Sequence, residues 1–270
     1  MAKSIHARRT TMKLQQRTIL ITGGSRGIGL ELAQQLLARG NTVIVTGREA
    51  GRLADVQRRL PGLHGFVSDV ADTAAVAALH AEVVTRFPEL DVLVNNAGIM
   101  RNLDLTQSRP LMDVTREVDV NLRGPVQMVQ QFLPQLRARG NAAIINVSSG
   151  LAFVPLAISP VYSAAKAALH AYTRALRVQL DGSGVQVFEL APPAIETRLL
   201  RAEFEAELKS SRAMAPEDLV RQAIAGIERG QQEIRPGLAN VLKAMSRIAP
   251  EFMFRQMTKM MKPDTSSRAS

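Results

Sequence analysis

Thr18-Ile-Leu-Ile-Thr22-Gly23-Gly24-Ser25-Arg26-Gly27-Ile28-Gly29 is the stretch from which the fold can be read. Its first five residues form a short unbroken apolar run, as in a strand that a parallel sheet buries on both faces. After Gly29 the apolar residues Leu30, Leu32, Ala33, Leu36 and Leu37 recur at helical spacing, and Gly40 closes the helix. The intervening turn has the spacing Gly23-x3-Gly27-x-Gly29. Glycines there let the backbone approach a pyrophosphate, whose charge meets the helix N-terminus. Taken alone, such a turn is structural about as often as it is functional. Its place between a strand and a helix favours a dinucleotide site.

Outward from this unit the pattern repeats. Strands are expected at Thr42–Thr46, Leu63–Ser68, Asp91–Asn95, Ala143–Val147 and Val185–Leu190, with a short seventh at Glu233–Arg235. Helical spacing is expected over Arg52–Leu60, Asp72–Phe87, Pro160–Leu180, 199–211 and Pro216–Arg229, with one long helix from Arg109 to Arg139. Strands separated by helices imply right-handed crossovers: an α/β, doubly wound parallel sheet of Rossmann type, one domain with helices on both faces. The expected organisation is a disordered basic arm over 1–16, a catalytic domain over 17–236 and an amphipathic basic extension over 237–270. Met12 is a candidate original start.

Composition narrows the function. Of 270 residues, 46% are hydrophobic and 21% charged, ordinary for a soluble globular enzyme. With no cysteine there is no disulfide or thiolate chemistry, which fits a reducing, cytoplasmic setting. The histidines His6, His64, His80 and His170 have no ligand-like spacing, so no metal site is expected. His170 reads as a surface or subunit-contact residue. The net charge of +10 is concentrated at the two ends of the chain. No zinc-finger, helix-turn-helix or basic-aromatic pattern accompanies it, so nucleic-acid binding is not the expected function. No apolar run reaches the roughly 20 residues of a membrane span, and no apolar segment marks a secretory signal near the N-terminus.

Chemistry is expected around Tyr162-Ser163-Ala164-Ala165-Lys166, in the helix beginning near Pro160. Residues four apart share a helix face, so Lys166 lies beside the Tyr162 phenol. A free phenol, with a pKa of about 10, is a poor general base near neutrality; a neighbouring cation favours the phenolate. Ser149, ending the strand Ala143–Ser149, could hold a substrate oxygen against the phenol. A bare Tyr-x3-Lys is more often a tyrosine over core and a lysine reaching water.

At the end of the second strand, an NAD enzyme places an acid for the ribose 2′-hydroxyl. This chain has Thr46-Gly47-Arg48. Arg48 and Arg26 could clamp a 2′-phosphate, which favours NADP(H) over NAD(H).

With these residues in place, the chain resembles the short-chain dehydrogenase/reductase (SDR) family, in its main branch, over Thr18 to about Arg235. The motifs are Thr22-Gly23-x3-Gly27-x-Gly29, Asp69-Val70, Asn95-Asn96-Ala97-Gly98, Asn121, Ser149, Tyr162-x3-Lys166 and Pro192-x4-Thr197. Gly150-Leu-Ala-Phe, Ala191-Pro-Pro and Thr46-Gly47-Arg48 are similar to its DltE-like oxidoreductase subgroup. The resemblance implies Tyr162 as proton donor or acceptor, with Lys166 lowering its pKa and holding the nicotinamide ribose. Ser149 rather than Ser148 would position the substrate oxygen, being thirteen residues before Tyr162. Asn121 would hold the proton-relay water; the alternative is an asparagine that breaks and caps the long helix. Gly23, Ser25, Arg26, Gly27, Ile28 and Gly29 would cradle the phosphates. Asp69 and Val70 would meet the adenine; Asn95, Ala97 and Gly98 would form the floor under the ribose and tie the fourth strand to its neighbour. Pro192, Ile195 and Thr197 would face the nicotinamide. Pro193 replaces the family's usual glycine and stiffens that wall.

Leu151, Phe153, Val154, Leu156, Ile158, Met100 and Leu199 would make an apolar substrate pocket for a hydrophobic carbonyl or secondary alcohol. From Leu238 to Met261 a methionine-rich amphipathic segment suits a core or subunit contact, and its basic face also permits peripheral membrane attachment. The family resemblance implies a homodimer or homotetramer. The expected function is therefore NADP(H)-linked hydride transfer. The competing readings are an epimerase or dehydratase on the same fold, and a non-catalytic NADP(H) sensor or scaffold.

Overall fold

Seven strands form one parallel sheet in the order β3-β2-β1-β4-β5-β6-β7 in a computed structural model that describes residues 11–196 and 213–260. They are β1 (Thr18–Ile21), β2 (Thr42–Gly47), β3 (Leu63–Val67), β4 (Leu90–Asn95), β5 (Ala142–Val147), β6 (Val185–Leu190) and β7 (Glu233–Ile234). The helices are α1 (Gly27–Leu37), α2 (Ala50–Arg59), α3 (Thr73–Arg86), α4 (Leu111–Val118), α5 (Gly124–Ala138), α6 (Pro160–Gln179), α7 (Pro216–Glu228), α8 (Leu238–Ile248) and α9 (Pro250–Met260). The doubly wound α/β class is as expected. The expected helix over 199–211 lies outside the described residues.

Strand residues alternate between two cores, as the two-residue period of a strand requires. Ile19, Ile21, Val43 and Val45 face the side covered by α1, α2 and α7. Leu20, Ile44 and Leu93 face the side covered by α3, α5 and α6, where Phe132 is fully buried. Asp72 caps α3 by accepting from the Ala74 and Ala75 amides, satisfying donors the helix leaves open.

Two expectations need correction. The long helix over Arg109–Arg139 is broken: a π-helical turn at Asp119–Arg123, containing Asn121, separates α4 from α5. The Asn121 side chain explains the position of this turn. It donates to the Ile99 carbonyl at 2.7 Å and accepts from the Ile99 amide at 3.2 Å, tying the helix to the loop after β4. Second, the disordered arm expected over 1–16 does not include Met12 or Leu14, which are buried with Ile19 and Leu36 because the outer face of β1 still has apolar surface to cover. The C-terminal segment, expected as a core or subunit contact, forms α8 and α9 and packs on the domain. Leu242 and Met257 pack back towards the loops that follow β4 and β5. Leu238, Val241, Ile248, Phe252 and Phe254 stay exposed on this helix pair. Among the described residues no helix is long and apolar enough to cross a membrane.

Candidate active site

Strand order reverses between β2 and β4 on either side of β1, and ligands of such sheets bind beyond the carboxyl ends of the strands at that point. A cleft of about 300 Å³ lies there. Gly23, Ser25, Arg26, Gly27 and Ile28 line one end. Arg48, Asp69, Val70, Ala97 and Gly98 line the middle, and Ser149, Tyr162, Lys166, Pro192, Pro193 and Ile195 the other end. Gly29 and Asn121 support the cleft from behind. Thr197 and Leu199 lie outside the described residues.

The glycine turn is packed so tightly that side chains are excluded. A Cβ on Gly24 would stand 2.4 Å from Val45, and one on Gly29 would stand 2.4 Å from both Asn96 Nδ2 and the Gly23 carbonyl. Gly23 and Gly27 also take φ of +66° and +55°, a region glycine enters without strain. Arg26, which precedes α1, provides no capping side chain, and the first turn holds no acid. The positive end of the helix thus faces the cleft with its amides available to an anion. Thr22 Oγ1 accepts from the Asn96 and Ala97 amides at 3.0 Å each, while Asn96 Nδ2 donates back to the Thr22 carbonyl at 2.9 Å. Asn95 points away from the cleft and donates to Asn146 Oδ1 at 2.9 Å, joining β4 to β5. This cradle fits the pyrophosphate of a nicotinamide dinucleotide.

Arg48 is exposed at the end of β2. Its acidic neighbour Glu49 is paired with Arg52 at 2.8 Å. Asp69 is more committed than expected. Its Oδ1 accepts from the Ala71 amide at 2.9 Å and its Oδ2 pairs with Arg116 at 2.7 Å. Burial alone would raise the Asp69 carboxyl, but the amide and the Arg116 guanidinium outweigh it and hold the group below its ordinary range. Arg116 was not foreseen, because nothing in its spacing marks it.

At the far end, Ser149 Oγ accepts from the Leu151 amide at 3.1 Å, and the Ser149 and Tyr162 hydroxyls are hydrogen-bonded. Lys166 Nζ donates to the Val147 carbonyl at 2.8 Å and lies 5.6 Å from the centre of the Tyr162 ring. The expected lowering of the Tyr162 pKa by Lys166 is not found. Burial pushes the phenol up to about 12, against the smaller opposing effect of Ser149, and the Glu117 charge adds to the rise. Burial also brings the Lys166 ammonium down to about 8, although Glu189 acts to raise it. Desolvation dominates both groups because each sits inside the protein.

Met100, Leu151 and Leu156 line the cleft near Tyr162, joined by Leu238, Leu242 and Met257 from α8 and α9. Ile158 and Met257 pack on the Met100–Leu156–Tyr162 cluster. Val154 is buried, and Phe153 turns its ring edge-on to His170 at 5.2 Å. The helical period of 238–260 was visible in the sequence; that it would fold over this cleft was not. His170, expected as a surface or subunit-contact residue, is partly buried, with its Nδ1 2.8 Å from Oε2 of Glu189, a residue whose position in a strand gave no signal.

Residues 17–208 match the family model described as short chain dehydrogenase. The chain is 41% identical over 247 residues to an uncharacterised oxidoreductase of Bacillus subtilis (strain 168), DltE, covering 91% of this chain and 98% of that protein. A short-chain dehydrogenase from Burkholderia cenocepacia J2315, solved in complex with NADP, superposes with a TM-score of 0.79 at 27% identity, covering 91% of this chain and 99% of that one. A 3-ketoacyl-(acyl-carrier-protein) reductase from Brucella melitensis complexed with NADH gives 0.73 at 28% identity, covering 80% and 91%. The glycine cradle, the Ser149–Tyr162–Lys166 cluster and these matches agree: the chain is an oxidoreductase of the short-chain dehydrogenase/reductase family, in its DltE-like subgroup.

Proposed function

We propose that this protein is an NADP(H)-dependent reductase of apolar aldehydes or ketones, reversibly an alcohol dehydrogenase. The observation that carries this reading is a buried Tyr162 phenol, hydrogen-bonded to Ser149, at the apolar end of a cleft that begins in a phosphate cradle. When bound, the nicotinamide supplies or accepts the hydride.

The residues divide the remaining work. Ser149 Oγ, fixed by the Leu151 amide, holds the substrate carbonyl oxygen against Tyr162. With its pKa pushed up to about 12, the phenol carries its proton at neutral pH and can donate it to that oxygen as charge develops there. Ser149, whose hydrogen bond acts to lower the Tyr162 pKa, stabilises the phenolate left behind, and the Lys166 ammonium holds the ribose hydroxyls of the nicotinamide nucleotide. Asn121 stands at the foot of Lys166: a Cβ on Gly98 would lie 2.8 Å from Asn121 Oδ1 and 3.7 Å from Lys166 Nζ. A water held there would return the proton. The preference for NADP(H) rests on Arg48 and Arg26 beside the cleft and on Glu49 being drawn to Arg52. The preference for apolar substrates rests on Met100, Leu151, Leu156, Leu242 and Met257.

The test is a fluorescence titration with NADPH and NADH, followed by an aldehyde and ketone panel read at the nicotinamide absorbance. Tighter NADPH binding is expected, with faster turnover of apolar than of small charged carbonyls. Tyr162→Phe should cut turnover by about 100-fold or more while NADPH still binds. Binding of neither nucleotide would end this reading; binding without turnover of any carbonyl or alcohol would favour a sensor.

A further inference from the structure

β6 places a carboxylate, Glu189, at 0% exposure between β5 and β7. A buried ionised carboxylate is costly unless it is paired and hydrogen-bonded. Ser148 Oγ donates to its Oε1 at 2.5 Å, and His170 Nδ1 lies 2.8 Å from Oε2. Both partners adjoin the catalytic end of the cleft. Ser148 stands between Ser149 and Val147, whose carbonyl accepts from Lys166. His170 is one turn beyond Lys166 on α6. The same carboxylate thus grips the end of β5 and the helix that carries Tyr162 and Lys166.

His170, Glu189 and Glu233 bring ligating atoms within 4.8 Å of one another. A metal ion is poorly accommodated, because Glu233 pairs with Lys243 at 2.8 Å and with Arg235, and Glu189 is taken by Ser148. Packing does not explain the carboxylate either, since an apolar side chain of similar volume usually serves a buried strand as well.

We propose that Glu189, held by Ser148 and His170, is a positioning residue of the reaction, fixing the Val147–Ser149 end of β5 against α6 and supplying the counter-charge for the Lys166 ammonium. The inference rests on the reading of Tyr162 and Lys166 as the catalytic pair. Among the described groups near Lys166, Tyr162 lies on its own helix and Glu189 on β6, while Glu117 of α4 acts on Tyr162. Glu189 is faced by Ser148 from β5 and by His170 and Arg177 from α6. Beyond His170 stand Glu233 and Arg235 at β7, and Lys243 of α8, whose Nζ lies 4.7 Å over the Phe153 ring. Glu189 opposes the effect of burial on Lys166. Removing its charge makes the ammonium less favourable, so the lysine loses its proton at lower pH.

The test uses the full chain. Competitive acetylation with trace acetic anhydride across a pH series, with the Lys166 peptide quantified by mass spectrometry, reads the midpoint of that amine directly. Glu189→Gln should lower the midpoint by about one pH unit, and the alkaline limb of the turnover profile should move with it. Glu189→Met, the apolar isostere, gives the same reading should the amide variant not fold. Glu189→Asp keeps the charge and should keep the wild-type midpoint. A folded Gln or Met variant with an unmoved midpoint overturns the proposal. Absence of turnover in the wild type would refute the reductase reading alone, because the acetylation midpoint still decides the role of Glu189.

Discussion

Replacing Lys166 with methionine tests the electrostatics of the site without any substrate. Lys166 is 3% exposed, and burial brings its pKa from 10.5 to about 8. The folded protein therefore releases this proton near pH 8, while the unfolded chain keeps it to about pH 10.5. Between those values the unfolded state binds one more proton, so stability rises with pH by about 1.4 kcal/mol per unit. From about pH 8 to about pH 9.5 the wild type should gain about 2 kcal/mol that Lys166→Met does not. Staying below about pH 10 avoids the opposing contribution of Tyr162, whose raised pKa costs stability as unfolded tyrosine ionises. Urea unfolding of both proteins at several pH values measures the difference. At neutral pH the methionine variant should be at least as stable as the wild type, since loss of the bond to Val147 is offset by removal of a buried charge. A stability difference that stays flat across the series would refute the claim that desolvation governs Lys166.

Two further substitutions test the cradle and the core. Gly29→Ala drives a methyl group to 2.4 Å from the Gly23 carbonyl and Asn96, so the loop must move; NADPH affinity should fall about 10-fold or more by fluorescence titration, and an unchanged affinity would contradict the packing. Phe132→Ala empties a fully buried position under α5 and should cost about 3–5 kcal/mol in urea unfolding while nucleotide binding persists, a smaller loss meaning that the site collapses around the cavity.

What could be read in advance depended on the range of the interaction. The apolar run of β1, the period of α1 and the glycines between them are local facts, and local sterics carry them into structure unchanged. The same holds for Tyr162 and Lys166, which one helical turn brings to a common face. The break at Asp119–Arg123 was foreshadowed only as the alternative role of Asn121, because it depends on that side chain finding both backbone groups of Ile99, 22 residues away in sequence. Met12 and Leu14 looked like part of a basic arm until the outer face of β1 supplied a core for them.

The sequence by itself determined the doubly wound sheet, the glycine turn and the pairing of Tyr162 with Lys166, because periodicity and glycine spacing act over a few residues; the choice of Ser149 and Asn121 came with the family resemblance. Only the tertiary structure decided the ionisation of the site. Whether a phenol lies at 10 or about 12, and an ammonium at 10.5 or about 8, depends on how completely water is excluded and which charges remain near. Glu189 meets Ser148 across 41 residues and His170 across 19 because β5, β6 and α6 pack together. Desolvation and charge proximity belong to the assembled fold, where distance in space replaces distance along the chain.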